Sequence, residues 1–174
     1  MPKLVTVWRD DEIRAQAKQY VRSYILFPSG VLGLVSMLGG VGGLAYQLLA
    51  SSSYTSTTFF ASMALLLLGG LFGWGQTRYH RYLLDRVPQA FAARIRSAVQ
   101  GQQKKKHRVD PKETTIEHPG RAIVPFAYLL GVLVLVGAST WAYKEGEVDV
   151  VPAVLMPWAG FYWGKLFFWR GIVQ

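Results

Sequence analysis

Hydrophobic positions along this chain form long runs without charge instead of an alternating pattern. No Asp, Glu, Lys or Arg occurs from Ser23 through Thr77, and two further apolar runs follow towards the C-terminus. A hydrocarbon layer about 30 Å thick requires roughly 20 apolar residues in each membrane-spanning helix. Backbone groups must pair within each segment in lipid, and the period-two pattern of a barrel is missing. The pattern therefore predicts an all-α integral membrane protein.

Four of these runs have spanning length, and they lie at 29–49, 58–77, 122–143 and 150–169. Short polar connections follow the first and third runs, so the four runs are expected to pair into two hairpins. The predicted regions are an N-terminal segment 1–27, a first hairpin 28–77, a basic loop 78–121, a second hairpin 122–169 and a tail 170–174.

Amphipathic helices are predicted on either side of the first hairpin. Within 8–27, residues at helical spacing form an apolar face that consists of Ile13, Ala17, Tyr20, Val21 and Tyr24. This helix is expected either to lie in the membrane interface or to pack on the protein's own central loop, with a bend at Pro28. Span two is expected to continue as a helix to Arg86, and a second amphipathic stretch follows at 91–99.

The net charge of +9 is distributed unevenly along the chain. Of the 19 Lys and Arg residues, all except Lys144 lie before span one, between spans two and three, or at the end of span four. An even number of spans puts these three regions on one side, and cytoplasmic loops carry such an excess of basic residues. Both termini and the central loop are therefore predicted to be cytoplasmic. A bacterial cytoplasmic membrane is the simplest location, and an organellar inner membrane is the alternative.

Reactive groups are scarce, so neither an enzymatic activity nor a metal site is predicted. The chain contains no Cys, which excludes disulfides and thiolate chemistry. The residues His80, His107 and His118 lack the spacing of metal ligands. No histidine lies in another span to activate Ser139 as a nucleophile, so Ser139 is expected to bond within its own helix or to a neighbouring one.

Small residues recur at four-residue spacing in the predicted spans. Such a face lets two helix backbones approach closely in lipid. The predicted helix-packing residues are Gly39, Gly40, Gly43, Gly69, Gly73, Gly160 and Gly164. They serve either packing within the bundle or docking against another protein. Span one contains six glycines, more than one partner helix needs, so two close neighbours are expected for it, and another subunit can supply one of them.

Basic side chains close to the membrane are candidates for binding anionic lipid headgroups. The densest cluster consists of Lys104, Lys105, Lys106 and Arg108. Lipid contact is one interpretation of this cluster, and a solvated determinant of topology is the other. Nucleic-acid binding is not expected, because no aromatic residues are interleaved with the charges. Lys165, the only ionisable residue within a predicted span, is expected to extend its ammonium to the same surface.

Aromatic residues are concentrated in the second half of span four, between Phe161 and Trp169. Anchoring at the membrane interface accounts for this enrichment. No cofactor is predicted. The sharper alternative is a bound lipid or quinone-like apolar ligand near Trp163 and Phe167.

Packing faces are abundant while reactive groups are missing, and this combination favours a non-catalytic accessory subunit or assembly factor of a larger membrane complex. Its expected partners are the membrane, anionic lipids and other membrane-protein subunits. The alternative is a small homo-oligomeric channel, carrier or lipid-handling protein. A third hypothesis is a lipid-modifying enzyme that uses His80 or His118 at the cytoplasmic face.

Overall fold

Helices account for most of the chain that the structure describes. The computed structural model describes residues 15–86 and 123–173. They form α1 (Ala15–Leu49), α2 (Ser56–Arg86), α3 (Ile123–Lys144) and α4 (Val150–Val173). The prediction of an all-helical protein is confirmed for these residues. The predicted stretch at 91–99 and the basic cluster at 104–108 lie outside them.

α1 runs without a break from the amphipathic segment into the first predicted span. A π-helical segment, Val21–Leu26, precedes Pro28, and the Phe27 N–H donates to the Arg22 carbonyl five residues earlier. Proline has no N–H, and its ring collides with the carbonyl four residues before it in a regular α-helix. The wider π-helical turn accommodates this conflict. Pro28 therefore does not end the helix, and the predicted bend at this residue stays a prediction.

The amphipathic face of α1 packs on the far end of α2. Ala17 and Val21 are both fully buried. Ala17 forms a cluster with Leu83 of α2, against which Tyr20 and Tyr79 also pack. Leu83 and Tyr79 belong to the part of α2 that the sequence analysis placed in the central loop 78–121, so this contact agrees with the second of the two predicted alternatives.

α4 lies between α1 and α2. Gly33 of α1 faces Tyr162 and Gly43 faces Pro152, so α1 and α4 run in opposite directions. Two adjacent faces of α4 are covered, as its buried residues show: Pro152, Ala153, Met156, Pro157, Ala159, Gly160 and Trp169.

Three helices are long and apolar enough to cross a membrane: Ala15–Leu49, Ser56–Leu84 and Ile123–Lys144. α4 does not reach this level of hydropathy, because it contains proline, tryptophan, tyrosine and one lysine among its apolar residues. Three of the predicted spans therefore coincide with helices that could cross a bilayer. The fourth span stays a prediction.

α3 is the most loosely packed of these three helices. Of the residues in its most apolar window, 17% are buried, compared with 28% in α2. Its buried positions are confined to Gly131, Leu135, Ser139 and Ala142. Most of the surface of α3 is therefore left without a neighbour in the described part of the chain.

Short connections fix the ends of the helices. Thr55 and Thr58 cap α2 reciprocally, since the Thr58 N–H donates to Thr55 Oγ1 (3.2 Å) and the Thr55 N–H donates to Thr58 Oγ1 (3.1 Å). Between α3 and α4, Gly146 has a φ of 73°, and its N–H donates to the Tyr143 carbonyl (3.0 Å). A glycine adopts this left-handed conformation without a steric cost, which lets the chain turn directly into α4.

Candidate functional site

The closest helix contact joins the glycine pairs of α2 and α4. A Cβ built on Gly69 would overlap the Pro157 carbonyl oxygen, and one built on Gly73 would overlap that of Phe161. In return, a Cβ on Gly160 would overlap the Leu66 carbonyl oxygen. From the pair Gly69 and Pro157 to the pair Gly73 and Phe161, the residue numbers of both helices increase, so α2 and α4 run in the same direction. Only residues without a side chain permit this approach of two backbones.

The glycines of α1 lie against side chains of α4 instead of its backbone. Gly39 faces Leu155 Cδ1 at 2.5 Å, Gly40 faces Met156 Sδ at 2.8 Å, and Gly43 faces Pro152 Cδ at 2.7 Å from the respective ideal Cβ positions. Gly30 and Gly33 also face α4, whereas Gly42 has nothing within 4 Å. A single neighbour therefore accounts for five of the six glycines, because the antiparallel contact extends along several turns. A second close neighbour for span one, supplied by another subunit, stays a prediction.

A buried amide at the end of α1 joins the two connecting segments, and sequence analysis missed it. The side chain of Gln47 is 1% exposed. Its Nε2 donates to the Glu147 carbonyl (3.1 Å), and its Oε1 accepts from the Asp149 N–H (3.3 Å). The sequence contained one signal for this contact, because Gln47 is a single amide at the end of an apolar run and lies close to the polar connection 50–57.

A cavity of about 360 Å³ lies between α2, α3 and α4. Its walls include the rings of Phe72, Trp158 and Phe161, while Gly75 and Gly131 leave room by having no side chain. Small-molecule sites in proteins begin at about this volume and combine apolar walls with a few polar groups. The cavity therefore has the general character of a ligand site.

Polar groups of the cavity gather at one end. The Tyr128 hydroxyl lies 3.4 Å from His80 Nε2. Gln76, Tyr79 and Tyr128 line the cavity, and His80 lies behind Tyr128. None of these residues except His80 was singled out in the sequence. Gln76 and Tyr128 were visible there only as isolated polar residues at the edges of two spans.

Trp163 and Phe167, the predicted ligand-binding residues, line a different and more open groove of about 850 Å³. Met37 of α1 and Trp74 of α2 contribute to the same groove. All lining residues are apolar or aromatic, and indole N–H groups are their only strong hydrogen-bonding side-chain groups. The groove suits lipid acyl chains better than a ligand that needs several polar contacts.

Lys165 points in a direction that differs from the predicted one. Its Nζ lies 5.2 Å from the centre of the Phe161 ring, one helical turn back towards the start of α4. Side chains in α-helices lean towards the N-terminus, which for α4 is away from the Arg170 end. Contact between Lys165 and anionic headgroups stays a prediction, as does the same role for the cluster at 104–108.

Of the groups considered for catalysis, His80 contacts Tyr128, whereas Ser139 bonds within its own helix. Ser139 Oγ donates to the Leu135 carbonyl of its own helix (2.9 Å), as predicted. Among residues 15–86 and 123–173, no three His, Cys, Asp or Glu side chains are arranged to hold a metal ion. His107 and His118 lie outside these ranges.

Comparisons with protein-family models, with curated proteins and with solved structures found no match to this chain.

Proposed function

We propose that this chain is a four-span integral membrane protein with both ends in the cytoplasm, and that it works as a non-catalytic accessory subunit or assembly factor of a larger membrane complex. The direction of α4 supports four spans. It runs antiparallel to α1 and parallel to α2, and its contacts extend along the apolar part of both helices. A helix packed in this way crosses the same layer as its two neighbours.

Two sides of α4 are covered by other helices, which explains its lower hydropathy. A lipid-facing helix must be apolar all round, while a helix inside a bundle can contain glycine, proline and polar aromatic residues. The glycines that contact α2 are among the residues that reduce the hydropathy of α4. The glycine, proline and polar aromatic residues of α4 are therefore typical of a helix inside a bundle.

The outer surface of α3 is the feature that supports docking. Gly137 has nothing within 4 Å of its ideal Cβ position, and it lies between the exposed side chains of Leu133, Val134 and Trp141. A glycine on an exposed helix face forms a notch that a second helix can enter closely. Gly42 of α1 and Gly75 of α2 also face open space, but only Gly137 lies on α3, the helix with the smallest buried share of the three apolar helices.

Membrane topology is tested with single cysteines, which the natural sequence lacks. We expect Ser53→Cys and Glu145→Cys to react with a membrane-impermeant maleimide in intact cells, and Lys105→Cys to react only after the membrane is permeabilised. Reaction of Lys105→Cys in intact cells would contradict the proposed orientation. Reaction of Glu145→Cys only after permeabilisation would contradict it equally.

Docking through α3 is tested by photo-crosslinking in living membranes. A photoreactive amino acid at Val134 is expected to form an adduct with another membrane protein, and the additional substitution Gly137→Leu is expected to abolish that adduct. Leu38 of α1, which is 67% exposed, provides the matched position on a surface that we expect to face lipid. Equal adducts from both positions, or adducts with lipid alone, would reject a specific partner on α3.

A lipid-handling protein is the second candidate, and the cavity between α2, α3 and α4 favours it. In proteoliposomes such a protein would accelerate the movement of a fluorescent phospholipid between leaflets. Filling the cavity with Gly75→Leu should then remove the acceleration. A flux equal to that of protein-free vesicles would leave the accessory role as the better proposal.

A further inference from the structure

One hydrogen-bonding position beside the cavity between α2, α3 and α4 is not used within the described chain. Gln76 Oε1 is buried and has no hydrogen-bond partner there. Gln76 and Tyr128 both line the cavity at this end. A buried polar atom without a partner is costly, and a bound ligand can satisfy it when the Gln76 side chain turns its amide into the cavity.

The walls of the cavity limit the charge of such a ligand. None of the lining residues carries a formal charge, and most are aliphatic or aromatic. An ionised headgroup beside Gln76 would lose its hydration without gaining a counter-charge from any lining residue, which is strongly unfavourable. The Lys165 ammonium lies over the Phe161 ring and is not among the lining residues. A headgroup that enters beside Gln76 must therefore be neutral.

An opening at the bundle surface limits the shape of the ligand. Leu71, Gly75 and Val132 line the cavity and are exposed between α2 and α3. A chain attached to the headgroup can therefore leave through this opening into the surrounding lipid. In the four-span arrangement, Gln76 lies at the cytoplasmic edge of the hydrocarbon layer, the depth at which a lipid headgroup resides.

We propose that this cavity binds an uncharged lipid alcohol, with its hydroxyl group on Gln76 and its hydrocarbon body against Phe72, Trp158 and Phe161. A hydroxyl both donates and accepts, so it can pair with the Gln76 amide in either orientation of that amide. A quinone only accepts and a fatty acid is charged, so each fits less well. The assignment depends on the membrane location in the proposed function, but not on a protein partner.

The probe is 1-hexadecanol with a diazirine in its chain, applied to the purified full-length protein in phosphatidylcholine nanodiscs. Two matched probes carry the same chain, one with a carboxylate and one with a methyl group in place of the hydroxyl. After irradiation, mass spectrometry of peptides measures the adduct yield on α2 and α3. We expect the alcohol to label these helices at least about fivefold more than either analogue, the loss that corresponds to one net hydrogen bond.

Three variants connect the labelling to the cavity. Gln76→Leu removes the amide, and Gly75→Leu fills the space, since a Cβ at Gly75 meets nothing within 4 Å. Both should reduce labelling by the alcohol at least about fivefold. Gly42→Leu is the control, because it adds the same bulk at a position of α1 that also faces open space. The alcohol should label this variant to the same extent as the natural protein.

Equal labelling by all three probes would overturn the proposal, because it would indicate nonspecific contact with lipid. Natural levels of labelling in both Gln76→Leu and Gly75→Leu would overturn it as well. The assay is read in nanodiscs, where both faces are accessible, so its failure is distinguishable from a failure of the topology test in cells.

Discussion

At the level of single residues, the effect of a glycine depends on what a side chain at its position would meet. Gly160→Ala puts a methyl group onto the Leu66 carbonyl, and backbone atoms can yield only if α2 and α4 separate. We expect a loss of about 1–3 kcal/mol in unfolding free energy, typical of overpacking. Gly42→Ala meets open space and should stabilise the helix by up to about 1 kcal/mol. Unfolding by dodecyl sulfate in mixed micelles measures both changes, and equal effects would contradict the close crossing.

Gln47 provides a second test at this level. Gln47→Leu leaves the Glu147 carbonyl and the Asp149 N–H without their buried partner. Both hydrogen bonds are part-buried and Asp149 is exposed, so their loss should lower the free energy of unfolding by about 1–2 kcal/mol. Ser53→Ala, which removes a hydrogen bond at the exposed surface, should change it by less than about 0.5 kcal/mol. The same micelle titration compares the variants, and similar values would mean that the amide does not join the connections.

At the level of helices, the antiparallel contact of α1 and α4 can be tested by a disulfide. An ideal Cβ on Gly33 lies 3.1 Å from Tyr162 Cβ. Disulfides need a Cβ–Cβ distance of about 3.5–4.5 Å, so a small separation of the helices suffices. We expect Gly33→Cys with Tyr162→Cys to form a disulfide-linked peptide on mild oxidation, identified by mass spectrometry. Gly42→Cys with Tyr162→Cys should not form one, and equal yields would contradict this packing.

The ends of the helices were predictable from sequence because membrane spans and their connections differ sharply in polarity. Charge-free runs and the polar segments at 50–57 and 144–149 predicted the limits of the helices to within a few residues. The continuation of α2 to Arg86 was also predicted. By contrast, the unbroken passage of α1 through Pro28 depends on a local π-helical turn, for which the sequence contains no distinct signal.

The arrangement of helices was less predictable than their ends. Glycine spacing indicated which helix faces pack closely. Several helices carry such a face, however, and the spacing alone does not determine which two faces contact each other. The choice depends on which backbones can approach, as at Gly69 and Gly160. The cavity was missed for a related reason. Gln76 and Tyr128 are far apart in sequence, and only the packing of α3 on α2 brings them together.

For the whole molecule, the basic residues have two proposed roles, which are to set the membrane orientation and to bind anionic headgroups. One variant can separate these roles. Basic residues surround the predicted cytoplasmic side at several places, and the cluster Lys104, Lys105, Lys106 and Arg108 is only one of them. If the overall bias sets the orientation, neutralising this cluster should leave the orientation unchanged. If the cluster also binds headgroups, each residue contributes about 1 kcal/mol of attraction to anionic lipid.

We therefore expect the variant with all four residues changed to Gln to keep its orientation and to lose most of its bound anionic lipid. Labelling of Glu145→Cys in intact cells reports the orientation. Phosphatidylglycerol retained after mild detergent extraction reports lipid binding. It should fall at least about tenfold, because four contributions of about 1 kcal/mol together correspond to nearly three orders of magnitude in affinity. Lys144→Gln serves as the comparison, since Lys144 is the one basic residue outside the predicted cytoplasmic regions. An inverted orientation would mean that the cluster determines the topology of the protein. Unchanged retention of phosphatidylglycerol would mean that the cluster does not bind anionic lipid.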